Sequence, residues 1–192
     1  MSYDLIFLLE EPSIATVLNE ILPKIIPDTT SFICIPHQGK QDLSKSIPIK
    51  IKAFKSFSPE TKFIIVHDQD SHDCKKLKAE LLEICQTAGQ PNAMIRIICH
   101  ELESWFLGDL AAVEKAYKLK PNSLSQQQNN RKFRNPDQLN SAKQELTDSE
   151  KRFREPRIQY LYKKNRELLG VVYWHNVRFL ATYQRRDRIA DR

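Results

Sequence analysis

A chain of 192 residues, 41% hydrophobic and 28% charged, is long enough to bury a core of its own and has the composition of one globular domain, or one domain with an appendage. Its longest apolar stretches, such as residues 5–9, are strand-sized, which argues against a membrane span. Ser2-Tyr3-Asp4 lacks the basic start of a signal peptide, so a cytoplasmic location is expected. The net charge of +6 is concentrated: residues 1–147 carry 18 Lys and Arg against 18 Asp and Glu, whereas residues 148–192 carry 12 against 6. Such a basic end can contact phosphates or simply remain solvated.

Residues 4–9 form the first strand, and Leu9-Glu10-Glu11-Pro12-Ser13 is the turn out of it, with Ser13 as a helix N-cap. Ile14, Val17, Leu18, Ile21, Leu22 and Ile25 then fall at helical spacing as one apolar stripe, weakened at Pro23 and ended at Pro27. Residues 31–35 are a second strand, followed by a loop that presents Lys40, a cation free either to hold a phosphate or to stay in solvent. A helix around Ile49 and Phe54 follows, with Pro48 limiting where it begins.

The centre of the sequence is Phe63-Ile64-Ile65-Val66-His67-Asp68-Gln69-Asp70. Its apolar, mostly β-branched run reads as a strand buried on both faces, and two carboxylates stand where the strand runs out. Residues i and i+2 share a side of an extended backbone, so Asp68 and Asp70 can converge on a hard cation. The alternative is loop chemistry, with one carboxylate capping and the other solvated. Asp73 caps a helix over residues 74–88 with Leu77, Leu81, Ile84 and Cys85 inward, and Gly89 stops it.

Residues 94–99 are a further strand, leading to Glu101 and Glu103. A helix over residues 109–118 precedes a stretch rich in Gln, Asn and basic residues, and the tail contains a helix over 158–169 and an apolar segment over 171–183. The four cysteines, Cys34, Cys74, Cys85 and Cys99, have no C-x-x-C spacing and are expected as reduced, mostly buried thiols. Cys74, beside His72 and Asp73, lacks the second ligand pair of a zinc site.

The alternation of strands and helices argues for an α/β fold with helices on a largely parallel sheet. Carboxylates then cluster at three strand exits: Glu10 and Glu11, Asp68 and Asp70, Glu101 and Glu103. Neighbouring carboxylates repel, and a divalent cation is the usual reason for tolerating them. For Glu101 and Glu103, a place at a helix N-terminus is the competing role.

Leu8-Leu9-Glu10 ending strand one and Asp68-Gln69-Asp70 ending a later strand resemble the Toprim superfamily of topoisomerases, primases and overcoming-lysogenization-defect nucleases. Within it, Glu10 to Ser13, Gly39-Lys40, Asp68 to Asp70 and Glu101 to Trp105 resemble a small bacterial Toprim-like family often encoded beside an ATPase.

The resemblance implies a Toprim-like, mostly parallel four-stranded sheet with flanking helices over residues 3–120. A polar loop or linker over 121–148 and a basic, mainly helical C-terminal extension over 149–192 complete the expected organisation. It also implies Glu10 as general acid/base or metal ligand, Asp68 and Asp70 as ligands of Mg2+ or Mn2+, Glu101 and Glu103 as further ligands, and Lys40 on substrate phosphate. Glu11 stands where Toprim sequences usually carry Gly, so the acid of the first strand is Glu10 or Glu11.

The function expected is metal-dependent hydrolysis of nucleic-acid phosphodiesters by a nuclease or nuclease effector subunit, in a bacterial anti-phage defence setting. A non-catalytic Toprim-like module that binds a partner ATPase or nucleic acid through apolar surface near Trp105, Phe106 or Trp174 is the alternative. No Gly-rich phosphate loop supports a nucleotide-handling enzyme.

Overall fold

The computed structural model describes residues 2–153. The helix expected over 158–169, the apolar segment over 171–183, Trp174 and nearly all of the basic extension lie outside the described residues. The chain divides between Leu102 and Glu103 into two compact units.

The first unit is an α/β layer structure built on strands β1 (Leu5–Leu9), β2 (Phe32–Pro36), β3 (Lys62–Asp68) and β4 (Met94–Ile98). All pairings are parallel, in the order β2-β1-β3-β4. The two central strands carry unbroken apolar runs, Leu5–Leu9 and Phe63–Val66, as burial on both faces requires. Helices α1 (Pro12–Ile21), α2 (Lys40–Lys55) and α3 (Cys74–Thr87) make the crossovers. The side chains of Ile6, Leu8, Phe63 and Ile65 pack with Leu43, Ile47 and Ile51 of α2 and with Leu77, Leu81 and Cys85 of α3. Right-handed crossovers place α1 on the opposite face.

The cap of α1 and the course of α2 differ from expectation, whereas α3 follows it. The N-cap of α1 is Glu11 rather than Ser13, because Pro12 takes the first helical position, where its missing N–H costs nothing; the Ser13 hydroxyl donates to the Glu11 carboxylate instead. Pro48 lies inside α2 and does not set its start, and the stripe that buries is Leu43, Ile47 and Ile51 while Ile49 is 67% exposed. Sheet contacts made by that stripe outweigh the loss of one helical hydrogen bond at Pro48. Asp73 caps α3 as expected, its carboxylate accepting from the N–H groups of Lys75 and Lys76, and Gly89 at φ 81° stops it.

The four cysteines are free. Cys85 is buried, Cys34 and Cys99 are half-buried and Cys74 is exposed. Burial pushes the Cys34 thiol up to about 12 and the Cys85 thiol up to about 11, which favours the neutral thiol.

The second unit contains α4 (Glu103–Leu107), α5 (Leu110–Ala116), 3₁₀ turns at Ser125–Gln127 and Pro136–Gln138, and α6 (Ala142–Phe153). The segment expected as a polar loop or linker, 121–148, contributes Leu124, Phe133, Ala142 and Leu146 to the core of this unit. Polar side chains do the work of regular secondary structure there. The Glu114 carboxylate accepts backbone N–H groups from Asn122, Leu124 and Ser125 at 2.8, 2.8 and 2.9 Å, and the Gln128 side chain accepts from the Leu110 N–H at 2.6 Å. Among the described residues no helix is long and apolar enough to cross a membrane.

Candidate functional site

In the order β2-β1-β3-β4 the chain leaves β1 toward one side and returns on the other, so the topological switch point lies between the carboxyl ends of β1 and β3. Glu10 follows β1 and Asp68 ends β3, so these two acids flank that point. The Glu10 N–H continues the ladder by donating to the Val66 carbonyl at 3.1 Å, and its carboxylate Oε2 accepts the Asp68 N–H at 2.9 Å. Asp68 is 9% exposed.

His67, inconspicuous in the sequence, lies at the centre of this edge. It is 1% exposed, and its Nδ1 lies 2.8 Å from Glu10 Oε2 and 2.5 Å from the Asp68 carbonyl. One donating Nδ1–H toward two acceptors fixes the ring and holds the Glu10 carboxylate in place. Burial pulls the Glu10 carboxyl upward, but hydrogen bonds from His67 and Asp68 and the charges of His67 and Lys40 outweigh it, holding Glu10 below its ordinary value. Burial likewise pushes His67 down, and the bonds and charges of Glu10 and Asp68 outweigh it, so His67 is raised. The sequence signal was a histidine inside an apolar strand, two positions after the buried Ile65.

Glu11 does not join this group: its carboxylate accepts from Ser13 in the first turn of α1. Of the two first-strand acids, Glu10 is therefore the one beside Asp68. The loop between β2 and α2 is tied to the same edge, with the His37 N–H and Nδ1 both 2.9 Å from the Leu9 carbonyl and the Gly39 N–H donating to the Glu10 carbonyl at 2.9 Å. Gly39 adopts φ 91°, a conformation that disfavours any side chain, and so turns the chain into α2 with Lys40 first. The exposed Lys40 stands 3.4 Å from His72 Nε2 and near enough to Glu10 to lower its pKa.

Asp70 behaves differently from its partner in the motif. The strand ends at Asp68, and Asp70 is exposed and adopts φ 51°, so the extended alternation behind the expected convergence stops before reaching it. Its N–H donates to the His100 carbonyl at 2.7 Å, and His100 also has positive φ, 55°, which locks the β3–α3 loop to the end of β4. Glu101 lies at the end of the first unit, whereas Glu103 opens α4 in the second. A carboxylate in the first turn of α4 is favoured by the helix dipole. Among the described residues no three His, Cys, Asp or Glu side chains are gathered to hold a metal ion. Glu10 and Asp68 are tied at the strand ends through the Asp68 main-chain N–H, not carboxylate to carboxylate.

A family model described as a Domain of unknown function (DUF4276) matches residues 9–167. No curated protein and no solved structure matches the chain.

Proposed function

The chain belongs to the DUF4276 family, and we propose that it is a Toprim-type nuclease, or nuclease effector subunit, that hydrolyses nucleic-acid phosphodiesters with Mg2+ or Mn2+. The observation that supports this reading is the placement of two acids, Glu10 and Asp68, at the carboxyl ends of the adjacent strands β1 and β3 that flank the switch point. Hard oxygen donors at the carboxyl edge of a parallel sheet fit a hard divalent cation. Glu10 and Asp68 would hold the ion, Asp70 would add a ligand from the following loop, and Glu101 remains a further candidate within the same unit. When bound, such an ion stabilises negative charge on a phosphate and lowers the pKa of an attacking water.

The chain's own residues supply the rest. His67 orients the Glu10 carboxylate through Nδ1–H, which keeps it ionised and aimed while it binds or accepts a proton. Lys40, at the head of α2, provides a cation for a substrate phosphate oxygen on the Glu10 side of the edge. The defence setting and a partner ATPase rest on the resemblance of the motifs alone, and nucleic acid is the partner that the proposed chemistry requires.

Calorimetric titration of the full chain with MgCl2 and MnCl2 tests the reading. Wild type binds in the millimolar range or tighter, and Asp68→Asn abolishes the heat. Equal binding by both, or none by wild type, would overturn it in favour of an interaction module.

A further inference from the structure

A cavity of about 410 Å³ opens beside the Glu10–His67 pair in the first unit. Its walls are two helix stripes. Lys40, Gln41, Ser44 and Lys45 follow i, i+1, i+4, i+5 spacing along α2, and Leu77, Glu80, Leu81 and Ile84 follow i, i+3, i+4, i+7 spacing along α3. His67, at the end of β3, and His72, in the loop after it, complete the lining.

The two walls differ in chemistry. The α2 wall is all hydrogen-bond donors with two ammonium groups, whereas the α3 wall is apolar apart from the Glu80 carboxylate. An occupant that satisfies both walls carries an anion at one side and a flat apolar body at the other, with hydroxyl donors for Glu80. Inorganic phosphate answers only the first wall, and a neutral nucleoside only the second. The volume lies within the range of about 300–1,000 Å³ of ordinary small-molecule sites.

We propose that this cavity binds a nucleoside monophosphate unit, with the phosphate on Lys40 and Lys45, the base against the half-buried Ile84 over a floor made by the buried Leu77 and Leu81, and ribose hydroxyls donating to Glu80. The identification of the occupant as a nucleotide rests on the nuclease reading. The site would then take the phosphate-bearing terminal nucleotide of a nucleic-acid strand beside the Glu10 edge, with which the cavity shares His67 and Lys40.

Binding to the full chain is measured by calorimetry in EDTA, with adenosine 5′-monophosphate as the probe and adenosine and inorganic phosphate as comparisons. The monophosphate binds at least about tenfold more tightly than either, and Lys40→Ala/Lys45→Ala weakens it by about tenfold or more, the loss expected for charge-assisted hydrogen bonds. Both lysines are exposed, so the variant keeps its fold, which circular dichroism checks. Monophosphate binding no tighter than phosphate, or undiminished in the double variant, would overturn the proposal. Because EDTA removes divalent ions, the two readings fail separately: monophosphate binding without metal binding sinks only the nuclease, and metal binding without monophosphate binding sinks only the cavity.

Discussion

Replacing Glu10 by Gln isolates the charge at the centre of the site. Glutamine keeps an oxygen where the Asp68 N–H donates at 2.9 Å and His67 Nδ1 at 2.8 Å, so the geometry survives while both bonds become neutral acceptor bonds. Hydrogen bonds to charged groups contribute about 1.5–3 kcal/mol against about 0.5–1.5 kcal/mol for neutral ones, so two bonds give a loss of about 2 kcal/mol in the first unit. The loss depends on pH. Glu10 is held below its ordinary 4.5, so its contribution is complete above that value and disappears as pH falls through the lowered folded value. His67 is raised above its ordinary 6.5, so its contribution is complete below that value and disappears as pH rises through the raised folded value. The difference between wild type and variant is therefore largest between the two ordinary values and shrinks on either side. Native-state amide exchange of the β1 and β3 amides in EDTA, repeated from acid to mildly alkaline pH, measures it in this unit alone. A difference that stays flat across the series, or that is nil between the two ordinary values, would refute the charged pairing of Glu10 and His67.

Glu114→Ala removes the acceptor for three backbone N–H groups, that of Leu124 buried, and should cost the second unit about 2–4 kcal/mol, read as a lower urea midpoint. Burial raises the Glu114 pKa and its hydrogen bonds outweigh this and lower it, so the contribution stands above the ordinary 4.5 and the variant and wild type converge as pH falls through the lowered folded value. Pro48→Ala in the exposed interior of α2 restores a helical N–H, and the gain of about 3 kcal/mol in helix propensity exceeds the unfolded-state entropy of up to about 1 kcal/mol that proline removes. A net stabilisation of about 2 kcal/mol in chemical denaturation follows. A less stable variant would mean that the packing of Ile47 and Ile51 needs the proline backbone.

The parallel sheet was legible because β1 and β3 carry unbroken apolar runs, and α3 because Asp73, its inward stripe and Gly89 mark both ends and the buried face. The interior of α2 was not, since Pro48 is a local breaker whose cost is met by contacts that only the folded sheet provides. Residues 121–148 look like a linker because their stabilising groups are Glu114 and Gln128, polar side chains whose backbone partners are distant in sequence or irregular in shape. At the site, Glu10 and Asp68 were readable from their strand ends, but the choice between Glu10 and Glu11 depended on which carboxylate reaches the Asp68 amide. His67 escaped notice because its partner lies 57 positions earlier in the chain and meets it only when β1 pairs with β3. Asp70 shows the opposite failure: a period-2 inference holds only while the backbone is extended, and a φ of 51° ends it.

If Glu10 and Asp68 form a metal-dependent hydrolytic edge, as proposed, a cleavage assay on mixed DNA and RNA substrates reads it out. Wild type and Asp68→Asn are compared in MgCl2, MnCl2 and EDTA, with metal-free stability matched between the two proteins. Cleavage is expected by wild type in either metal, none in EDTA, and a loss of at least about a hundredfold in Asp68→Asn, the scale expected when a group that stabilises transition-state charge is removed. Cleavage that persists in EDTA, or that is the same in both proteins, would contradict it.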